Sequence, residues 1–545
     1  MKIIRFFQTI RYLKLEQIFF RIYYFFYKGL SNSFHPKLET NRVNKDIFIE
    51  PIKKRNSLNE KGNFIFSYEE QNLDTVDWHQ DSKELLWQFN LHYFDFLQSD
   101  NLRLSHDKKV KLIHDWILKN PVKEGVGWHP YPLSLRLVNW IKWAIINDYR
   151  DEEFIKSIFD QAYFLQSKLE RHLLGNHFFS NIKALLFVSI FLDGATIKQW
   201  RARCIRFLNR EILEQVNQDG GHFELSPMYH LIFLEDILDL INIAKASDYN
   251  LSNDLEKIAL KMIDWIKILA HPDNSIASFN DCSQNIASTI NQVIEYANKL
   301  GLKSIGPFNS KENNQLALNL ESGYCRFKNE KVSFFVDIAK IGPDYLPGHG
   351  HADTLSFEAS FFDEKVFVNS GTSCYKISKR REFERSTAAH NTLEINCKNS
   401  SDVWSAFRAG KRAQPFNIKK SFDKKSNSYH LSCSHNGYSS LFRPLIHKRE
   451  WEFNSSTIKI IDSIEGDFKE AISRLYIHPH VDIKEVNEKS LVLRNRNGCS
   501  IYLEIENAII KITNTKYSET FGKLIDNRCI NLHLIGKSSS ICIKY

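Results

Sequence analysis

The hydrophobic period of this 545-residue chain changes near residue 315, and this change limits the folds that the chain can adopt. From about residue 76 to 305, apolar side chains recur every three or four residues, in stretches such as KELLWQFNLHYFDFL and LIFLEDILDLINIAKA, which predicts helices. After residue 315 the period becomes two, as in KVSFFVDIA, TLSFEASFF and STIKIIDSI, which predicts strands. Because no helical stretch separates these strands, we expect an antiparallel sheet.

We therefore predict an α+β multidomain chain with three parts. Residues 1–75 form a helical arm followed by a polar linker around Ser31–Lys61, residues 76–315 form an α/α toroid or bundle, and residues 316–545 form an antiparallel β domain. Asp363-Glu364 fits a hairpin turn between two strands of the β domain. The cleft between the two large domains is the expected place for a ligand site.

Charge and aromatic content indicate the kind of partner. The chain has 73 Lys and Arg against 64 Asp and Glu, a net charge of +9, which favours an acidic partner. No run of Arg and Lys is dense enough to indicate nucleic-acid binding. Aromatic residues make up 13%, which suits stacking on sugar rings, although a Phe-rich core explains the same share. Nine Cys without a CxxC pair argue against a disulfide framework and favour a reducing compartment.

Residues 1–30 are apolar and aromatic but interrupted by charge. Arg5, Arg11, Lys14, Glu16 and Arg21 break the apolar run, so it matches neither a signal peptide nor a membrane span. Two alternatives stay open: a basic helix that lies on a membrane surface, or a helix that packs on the next domain. We expect a cytoplasmic or membrane-associated protein, with the cell envelope or periplasm as the alternative.

The first cluster of possible binding residues lies in GWHPYPLSLRLVNW, residues 127–140. Trp128, Tyr131, Arg136, Asn139 and Trp140 combine aromatic surfaces with donors for carboxylate or hydroxyl groups. The last three recur at a spacing of three to four residues, which brings them near one face of a helix. The alternative is a buried structural helix in which the arginine caps a carbonyl group.

The second cluster is LLGNHFFSNIKAL, in which Gly175 breaks one helix and Asn176 is expected to cap the next. His177 and Asn181 then lie at i and i+4, on one face of the new helix. The Asn-His pair offers a neutral and a cationic donor to a single anion. A lone buried histidine is the alternative explanation.

The third cluster is DGGHFELSPMYHLIF, where Ser226 and Pro227 have the pattern of a helix N-cap and first residue. Tyr229 then falls in the first turn, where the helix dipole modestly favours the phenolate needed for proton transfer. Glu224 and His230 flank it. An aromatic core residue at a helix start is the alternative.

The fourth cluster is PGHGHADTLSFEASFF, followed by ERSTAAHNTLEIN. His349 and His351 are separated by one residue, so in an extended segment they share a side. With Asp353 and the later His390 they make a plausible zinc set. The spacing resembles the HxHxD motif of metallo-hydrolases, but Thr354 stands where those enzymes carry a further histidine.

Together, the four ordered clusters resemble the heparinase II/III-like family of polysaccharide lyases over most of residues 76–410. The likeness is strongest in GHGHADTLSFEASFFDEKVFVNSGTSCY and RSTAAHNTLEIN. The resemblance implies an incomplete α/α toroid followed by an antiparallel β-sandwich. It also implies β-elimination on a uronic-acid-containing polysaccharide, the predicted acidic partner.

The resemblance implies the roles of four catalytic residues. Asn176 and His177 match the residues that neutralise the uronate carboxylate, and Tyr229 matches the general acid, which in some members is also the base. His349 matches a histidine that acts as base or charge-neutraliser for one C5 epimer.

The resemblance implies that Arg136, Asn139 and Trp140 line the subsites. Trp128, Tyr131 and Glu224, taken from the clusters themselves, complete the predicted substrate-binding set. The oligomeric state is not predicted.

Family members often hold zinc through His, Asp and His in the β domain. His351 and His390 match the two histidines, but Asn369 stands in Val368-Asn369-Ser370-Gly371 where the family carries Asp. An amide is a poorer, uncharged zinc ligand, so zinc binding is predicted to be weakened unless Asp353 substitutes.

The main functional prediction is therefore a polysaccharide lyase that acts in surface-polysaccharide metabolism. The alternative is a non-catalytic glycan-binding or assembly protein of polysaccharide biosynthesis that kept the fold. Hydrolysis and epimerisation at the same site are further possibilities.

Overall fold

The helices of the first half follow the apolar period of the sequence. The structure is a computed structural model that describes residues 2–27, 38–55, 57–58, 63–66, 69–72, 76–99, 104–252, 254–303 and 314–545. Much of the predicted linker, residues 31–37 and 59–61, lies outside the described residues. The helices are α1 (Lys2–Ile10), α2 (Leu15–Phe26), α3 (Leu85–Tyr93), α4 (His106–Lys119), α5 (Pro130–Asn147), α6 (Glu152–Ser167), α7 (Gly175–Phe191), α8 (Ala195–Gln215), α9 (Pro227–Ser247), α10 (Leu255–Ile268), α11 (Ile290–Lys299) and α12 (Lys379–Glu384).

The second half is built from antiparallel strands. The strands are β1 (Glu39–Thr40), β2 (Asn63–Phe66), β3 (Glu69–Asn72), β4 (Leu192–Asp193), β5 (Gln315–Asn319), β6 (Tyr324–Lys328), β7 (Val332–Asp337), β8 (Phe357–Phe361), β9 (Glu364–Phe367), β10 (Leu393–Ile395), β11 (Val403–Trp404), β12 (Arg408–Ala409), β13 (Pro415–Asp423), β14 (Ser428–His435), β15 (Ile446–Phe453), β16 (Thr457–Glu465), β17 (Ala471–Ile477), β18 (Asp482–Asn487), β19 (Ser490–Arg494), β20 (Ser500–Glu506), β21 (Ala508–Tyr517), β22 (Ile525–Leu534) and β23 (Ser538–Lys544). Of these, β1 to β4 lie in the first half of the chain.

Helices α5, α7 and α9 form the interior of the toroid. Nearly every residue of α7 is buried, as expected for a helix that is apolar on all sides. Helix α8 instead buries residues at three- and four-residue spacing, which places its other side toward solvent. The central helices therefore set the position of the two clusters that begin α7 and α9.

Two sheets pack face to face in the β domain. One has nine strands, in the order β21-β22-β17-β9-β8-β7-β6-β5 with β10 beside β17, and the other has eight, in the order β13-β14-β15-β16-β23-β20-β19-β18. Burial alternates residue by residue along β15 and β16, as the two-residue period predicts. Phenylalanines fill the space between the sheets, with the rings of Phe327 and Phe453 stacked at 4.8 Å. The predicted toroid and antiparallel β-sandwich are confirmed.

Three local expectations differ from the structure. The hairpin between β8 and β9 turns at Phe362 and Asp363, both with positive φ, and Glu364 already belongs to β9. Helix α12 interrupts the β domain, which was expected to contain strands alone. Helix α7 begins at Gly175, so Asn176 lies in its first turn and does not cap it.

The domain boundaries remain a prediction that agrees with the elements. The last helix of the toroid ends at Lys299, and the first strand of the nine-stranded sheet begins at Gln315. Within residues 1–75, Val43, Phe48 and Ile52 are buried in the toroid core. This part of the arm and linker region therefore packs on the helical domain. Among the described residues, no helix is long and apolar enough to cross a membrane.

Candidate active site at the domain interface

The four predicted catalytic residues meet where the helical domain contacts the β domain. The His177 ring lies 4.5 Å from the Tyr131 ring, and the Tyr131 hydroxyl accepts a hydrogen bond from Asn176 Nδ2 at 3.4 Å. Asn176 N donates to Glu224 Oε1 at 3.4 Å, and Glu224 Oε2 lies 3.6 Å from Nε2 of His349.

The His349 ring stacks on the Tyr229 ring with centroids 3.9 Å apart. One unbroken series of contacts thus joins residues from α7, from α9 and from the loop before β8.

The turn that precedes α7 fixes the Asn-His pair. Gly175 has a φ of +54°, and a Cβ at this position would lie 2.3 Å from Leu346 of the β domain, so a glycine is required. Asn176 is almost fully buried, and its Oδ1 has no hydrogen-bond partner among the described residues. A buried amide without a full set of partners is a candidate for contacting a ligand.

A buried carboxylate lies behind His177. Glu170 Oε1 accepts from His177 Nδ1 at 3.0 Å, and Glu170 Oε2 accepts from Asn181 Nδ2 at 3.0 Å. This confirms that His177 and Asn181 share one face of α7. Burial lowers the pKa of His177, but the Glu170 carboxylate outweighs it, so the pKa is raised from its usual value. The His177 side chain is 38% exposed, so its ring is accessible from the cleft.

Tyr229 sits in the first turn of α9, as the sequence predicts. Ser226 caps the helix by accepting from the Tyr229 backbone N at 3.3 Å, and Pro227 is the first helical residue. The Tyr229 hydroxyl lies 3.3 Å from the Tyr375 hydroxyl. Burial raises the pKa of Tyr229 well above its usual value, which overrides the modest dipole effect expected from the sequence. Tyr229 is therefore a protonated phenol, suited to donate a proton.

Asp281 organises the β-domain side of the site. This carboxylate is fully buried and accepts from His349 Nδ1 at 2.9 Å and from His351 Nε2 at 2.8 Å. Both Arg381 nitrogens Nη1 and Nη2 also bind it, in a two-pronged ion pair. Burial raises the pKa of Asp281, but Arg381 and the histidines outweigh this and hold it well below its usual range. Asp281 thus orients His349 and His351 together.

The possible metal ligands are His351, Asp353 and His390, which are all buried and whose ligand atoms lie within 4.8 Å of one another. Nε2 of His351 donates its proton to Asp281, and Nδ1 of His390 donates its proton to the Ser386 carbonyl at 2.8 Å. The remaining nitrogens, His351 Nδ1 and His390 Nε2, face each other at 3.1 Å. Each of these two nitrogens then carries a lone pair, and two lone pairs that face each other at this distance can bind a cation.

Asn369, the predicted third member of this set, makes hydrogen bonds to the main chain. Asn369 Nδ2 donates to the Ser278 carbonyl at 3.3 Å, and Asn369 Oδ1 accepts from Asn391 N at 3.4 Å. The amide is thus bound to the main chain on both sides. Asp353 supplies the carboxylate that converges with the two histidines.

Most of the predicted substrate-binding residues in and just before α5 lie in the protein core. Arg136 and Trp140 have no exposed surface, and Trp128 and Asn139 are 5% exposed. Arg136 donates to the carbonyl oxygens of His92 and Gly127, which is the alternative that the sequence left open. These four residues are therefore structural.

Of the predicted binding set, Tyr131 and Glu224 lie at the site, in contact with the Asn-His pair. Four further residues were missed: Glu170, Asp281, Tyr375 and Arg381. Asp281 has partners 68 to 100 residues away in sequence, so no local spacing marks it.

The fold and the site define a polysaccharide lyase of the toroid and β-sandwich type. Residues 23–301 match the heparinase II/III N-terminus family, and residues 312–542 match the heparinase II/III-like C-terminal family. The chain belongs to the heparinase II/III family.

Relatives and solved structures agree with this placement. The chain is 25% identical over 500 residues to a heparin-sulfate lyase of Bacteroides stercoris, covering 81% of this chain and 71% of the relative. It is 26% identical over 388 residues to a heparin-sulfate lyase of Pedobacter heparinus, covering 62% of this chain and 56% of the relative.

A crystal structure of heparinase III has a TM-score of 0.69 at 15% identity, with 97% of this chain and 88% of that chain covered. The predicted enzyme class is confirmed, and no comparison supports the non-catalytic alternative.

Proposed function

We propose that this lyase cleaves a uronic-acid-containing polysaccharide by β-elimination, with Asn176, His177, Tyr229 and His349 as its catalytic residues. The observation that carries this assignment is the unbroken series of contacts from His177 to Tyr229 across the domain interface. In the reaction the C5–H bond breaks, a C4–C5 double bond forms, and the C4–O bond breaks. The C5 proton goes to a base of the enzyme, and the leaving oxygen takes a proton from an acid.

The helical domain neutralises the uronate carboxylate. The C5 proton is weakly acidic while the adjacent carboxylate is charged, so positive charge and hydrogen-bond donors at that group lower the barrier. His177, whose cationic form is favoured by the Glu170 carboxylate, supplies the charge. The Asn176 amide, buried beside it, supplies a neutral donor.

Tyr229 and His349 move the protons. Nδ1 of His349 donates to Asp281, which leaves Nε2 as the ring nitrogen that can accept the C5 proton. Tyr229, stacked on the same ring and protonated, donates to the leaving oxygen. When the C5 hydrogen lies on the opposite face of the sugar, Tyr229 takes both roles after its phenol has lost a proton to solvent: the phenolate accepts the C5 proton and then passes it to the leaving oxygen.

The substrate that we propose is an acidic glycosaminoglycan of the heparan type. The relatives named heparin-sulfate lyases support it, and so does the net charge of +9.

The experiment is to incubate the protein with heparan sulfate, chondroitin sulfate, hyaluronan and alginate and to follow the absorbance of the unsaturated uronate product. A rise with heparan sulfate alone is expected; a rise with another polymer alone would overturn the substrate proposal.

Tyr229→Phe is the matched variant for the reaction itself. It removes one hydroxyl and leaves the ring stacked on His349, so turnover is expected to fall by at least about 10²-fold while the fold is kept. Unchanged turnover in this variant would contradict the assigned role. Circular dichroism on the same preparation controls for folding.

For the metal, we propose a zinc ion held by His351, Asp353 and His390. A bound zinc ion would supply positive charge that fixes the loop carrying His349 and His351. The supporting observation is the pair of facing imidazole nitrogens beside a buried carboxylate.

Metal analysis should find about one zinc per chain in the parent protein, and Asp353→Asn should lose it. Asn369→Ala is the control and should keep it. Zinc retained by Asp353→Asn and lost from Asn369→Ala would reverse the assignment.

The cellular location stays a proposal: a cytoplasmic or membrane-associated enzyme of surface-polysaccharide metabolism. The predicted peripheral membrane contact through residues 1–30 has a structural basis in the exposed face of α1 and α2, described next.

A further inference from the structure

The two amino-terminal helices display an unusual share of the exposed apolar surface. Of the 27 large hydrophobic side chains that are exposed in the described part of the chain, nine lie between Phe6 and Phe26. In α2, Leu15, Ile18, Phe19, Ile22 and Phe26 are 40–85% exposed. Their spacing of three to four residues puts them on a single face of the helix. A contiguous exposed apolar stripe of this kind marks an interaction surface.

Polar contacts on the opposite side of α2 fix the direction of this stripe. Glu16 Oε1 accepts from Arg171 Nε at 2.6 Å, and the Tyr24 hydroxyl donates to the Leu169 carbonyl at 2.7 Å. Gln17 is 1% exposed, and its Nε2 donates to the Leu173 carbonyl at 3.2 Å. The helix thus contacts the protein through these polar groups and leaves the apolar stripe facing the solvent.

Helix α1 continues the same arm onto the β domain. Arg5 Nε donates to Asp402 Oδ2 at 2.9 Å, and Trp404 Nε1 donates to Thr9 Oγ1 at 3.2 Å. Although Arg5 and Thr9 are hydrogen-bonded to the β domain, Phe6 and Phe7 are 50% and 61% exposed. The arm therefore contacts both domains, and each of its two helices carries exposed apolar side chains.

We propose that this outward face binds a lipid bilayer that contains anionic lipids. Residues 1–30 contain six Lys and Arg against one Glu, and Arg11 and Arg21 are exposed beside the apolar stripe. Basic side chains flanking a face of Phe, Ile, Leu and Tyr have the composition of a helix that lies in the headgroup region of a membrane. A second copy of the chain fits less well, because it would bring two arms of like charge together.

Membrane binding through the arm would place the cleft beside the lipid surface. Gln17 also contacts the Tyr345 carbonyl at 3.5 Å, so its side chain touches segments that lie four residues before His177 and four residues before His349. An acidic polymer attached to the membrane would then meet the active site without diffusing away. The membrane proposal itself does not depend on the lyase chemistry.

The test is co-sedimentation of the full chain with vesicles of phosphatidylcholine, with and without phosphatidylglycerol. We expect binding to the anionic vesicles, weakened when the ionic strength rises from about 0.15 M to about 1 M and the Debye length shortens from about 8 Å to about 3 Å. The double variant Phe19→Ser, Phe26→Ser should reduce the partition coefficient at least about tenfold. The matched control is Leu441→Ser, Phe442→Ser, which removes two side chains that are 90% and 88% exposed on the β domain and should bind as the parent does.

Two results would overturn the proposal. One is equal sedimentation of the parent protein with and without vesicles. The other is a parent protein that is oligomeric by sedimentation velocity and becomes monomeric in the arm variant without any loss of lipid binding, which would assign the face to a second copy of the chain.

Discussion

Each of the two catalytic histidines is hydrogen-bonded to a different buried carboxylate. Glu170 of the helical domain binds His177 and the neutral amide of Asn181, so its negative charge acts chiefly on the imidazole. Asp281 binds His349 but also His351 and the Arg381 guanidinium, so its charge is already balanced by a cation. Similar histidine–carboxylate pairs thus favour different states: an imidazolium that attracts an anion in one domain and an oriented ring in the other.

The largest expected effect comes from Asp281→Asn. Removing this charge leaves the buried Arg381 without its counter-ion, and breaking a buried ion pair on one side costs about 3–5 kcal/mol of unfolding free energy. Urea denaturation measures the loss. Glu170→Gln is the control, because it leaves no buried guanidinium unpaired and should cost about 1–3 kcal/mol. Equal losses of unfolding free energy in the two variants would contradict the proposed difference between Asp281 and Glu170.

The next largest effect is a loss of kcat, and its dependence on the C5 epimer distinguishes the two histidines. His177→Ala removes the charge at the uronate carboxylate, so kcat should fall by about 10²–10³-fold on glucuronate and iduronate linkages alike. His349→Ala should lower kcat for one C5 epimer and spare the other, because Tyr229 can serve as the base there. Defined oligosaccharides of each epimer measure this. A loss shared by both epimers in His349→Ala would make that histidine a second charge-neutralising group.

The smallest effect is a shift in pH dependence. Burial lowers the pKa of His177, while Glu170 and, less strongly, Glu224 raise it; Tyr131 packs on the ring. In Glu170→Gln the main raising effect is lost and the pKa falls, so the imidazolium disappears at a lower pH. The alkaline limb of kcat against pH should therefore move to lower pH. Glu211→Gln, a buried glutamate bonded to Arg210 and Gln215, should leave the profile unchanged. An unmoved limb in Glu170→Gln would show that the charge of His177 does not limit turnover.

Periodicity and local motifs predicted what depends on short stretches of sequence. The switch from helices to strands, the Ser226–Pro227 helix start and the shared face of His177 and Asn181 all follow from spacings of a few residues. The HxH spacing likewise predicted that His349 and His351 share a side, and both rings are hydrogen-bonded to Asp281.

Long-range partners and burial could not be predicted in this way. Helix α5 is buried along most of its length, so spacing could not tell whether Arg136 and Trp140 face the cleft or the core. Asp281 lies 68 residues from His349 and 100 from Arg381, and nothing in its own segment distinguishes it from an ordinary loop aspartate. The convergence of Asp353 with His351 and His390 depends on the three-dimensional path of the loop, which residue spacing does not give.

The position of Asp281 also bears on how a newly made chain becomes active. This carboxylate belongs to the segment that follows α10, whereas His349, His351 and Arg381 all come later, from the β domain. Domains generally fold as units during synthesis, with the amino-terminal one first. A ribosome-bound chain with a finished toroid would therefore hold Asn176, His177, Tyr229 and Asp281 without His349 and Arg381. The complete site would form only in the last stage of biosynthesis, when the β domain closes over Asp281.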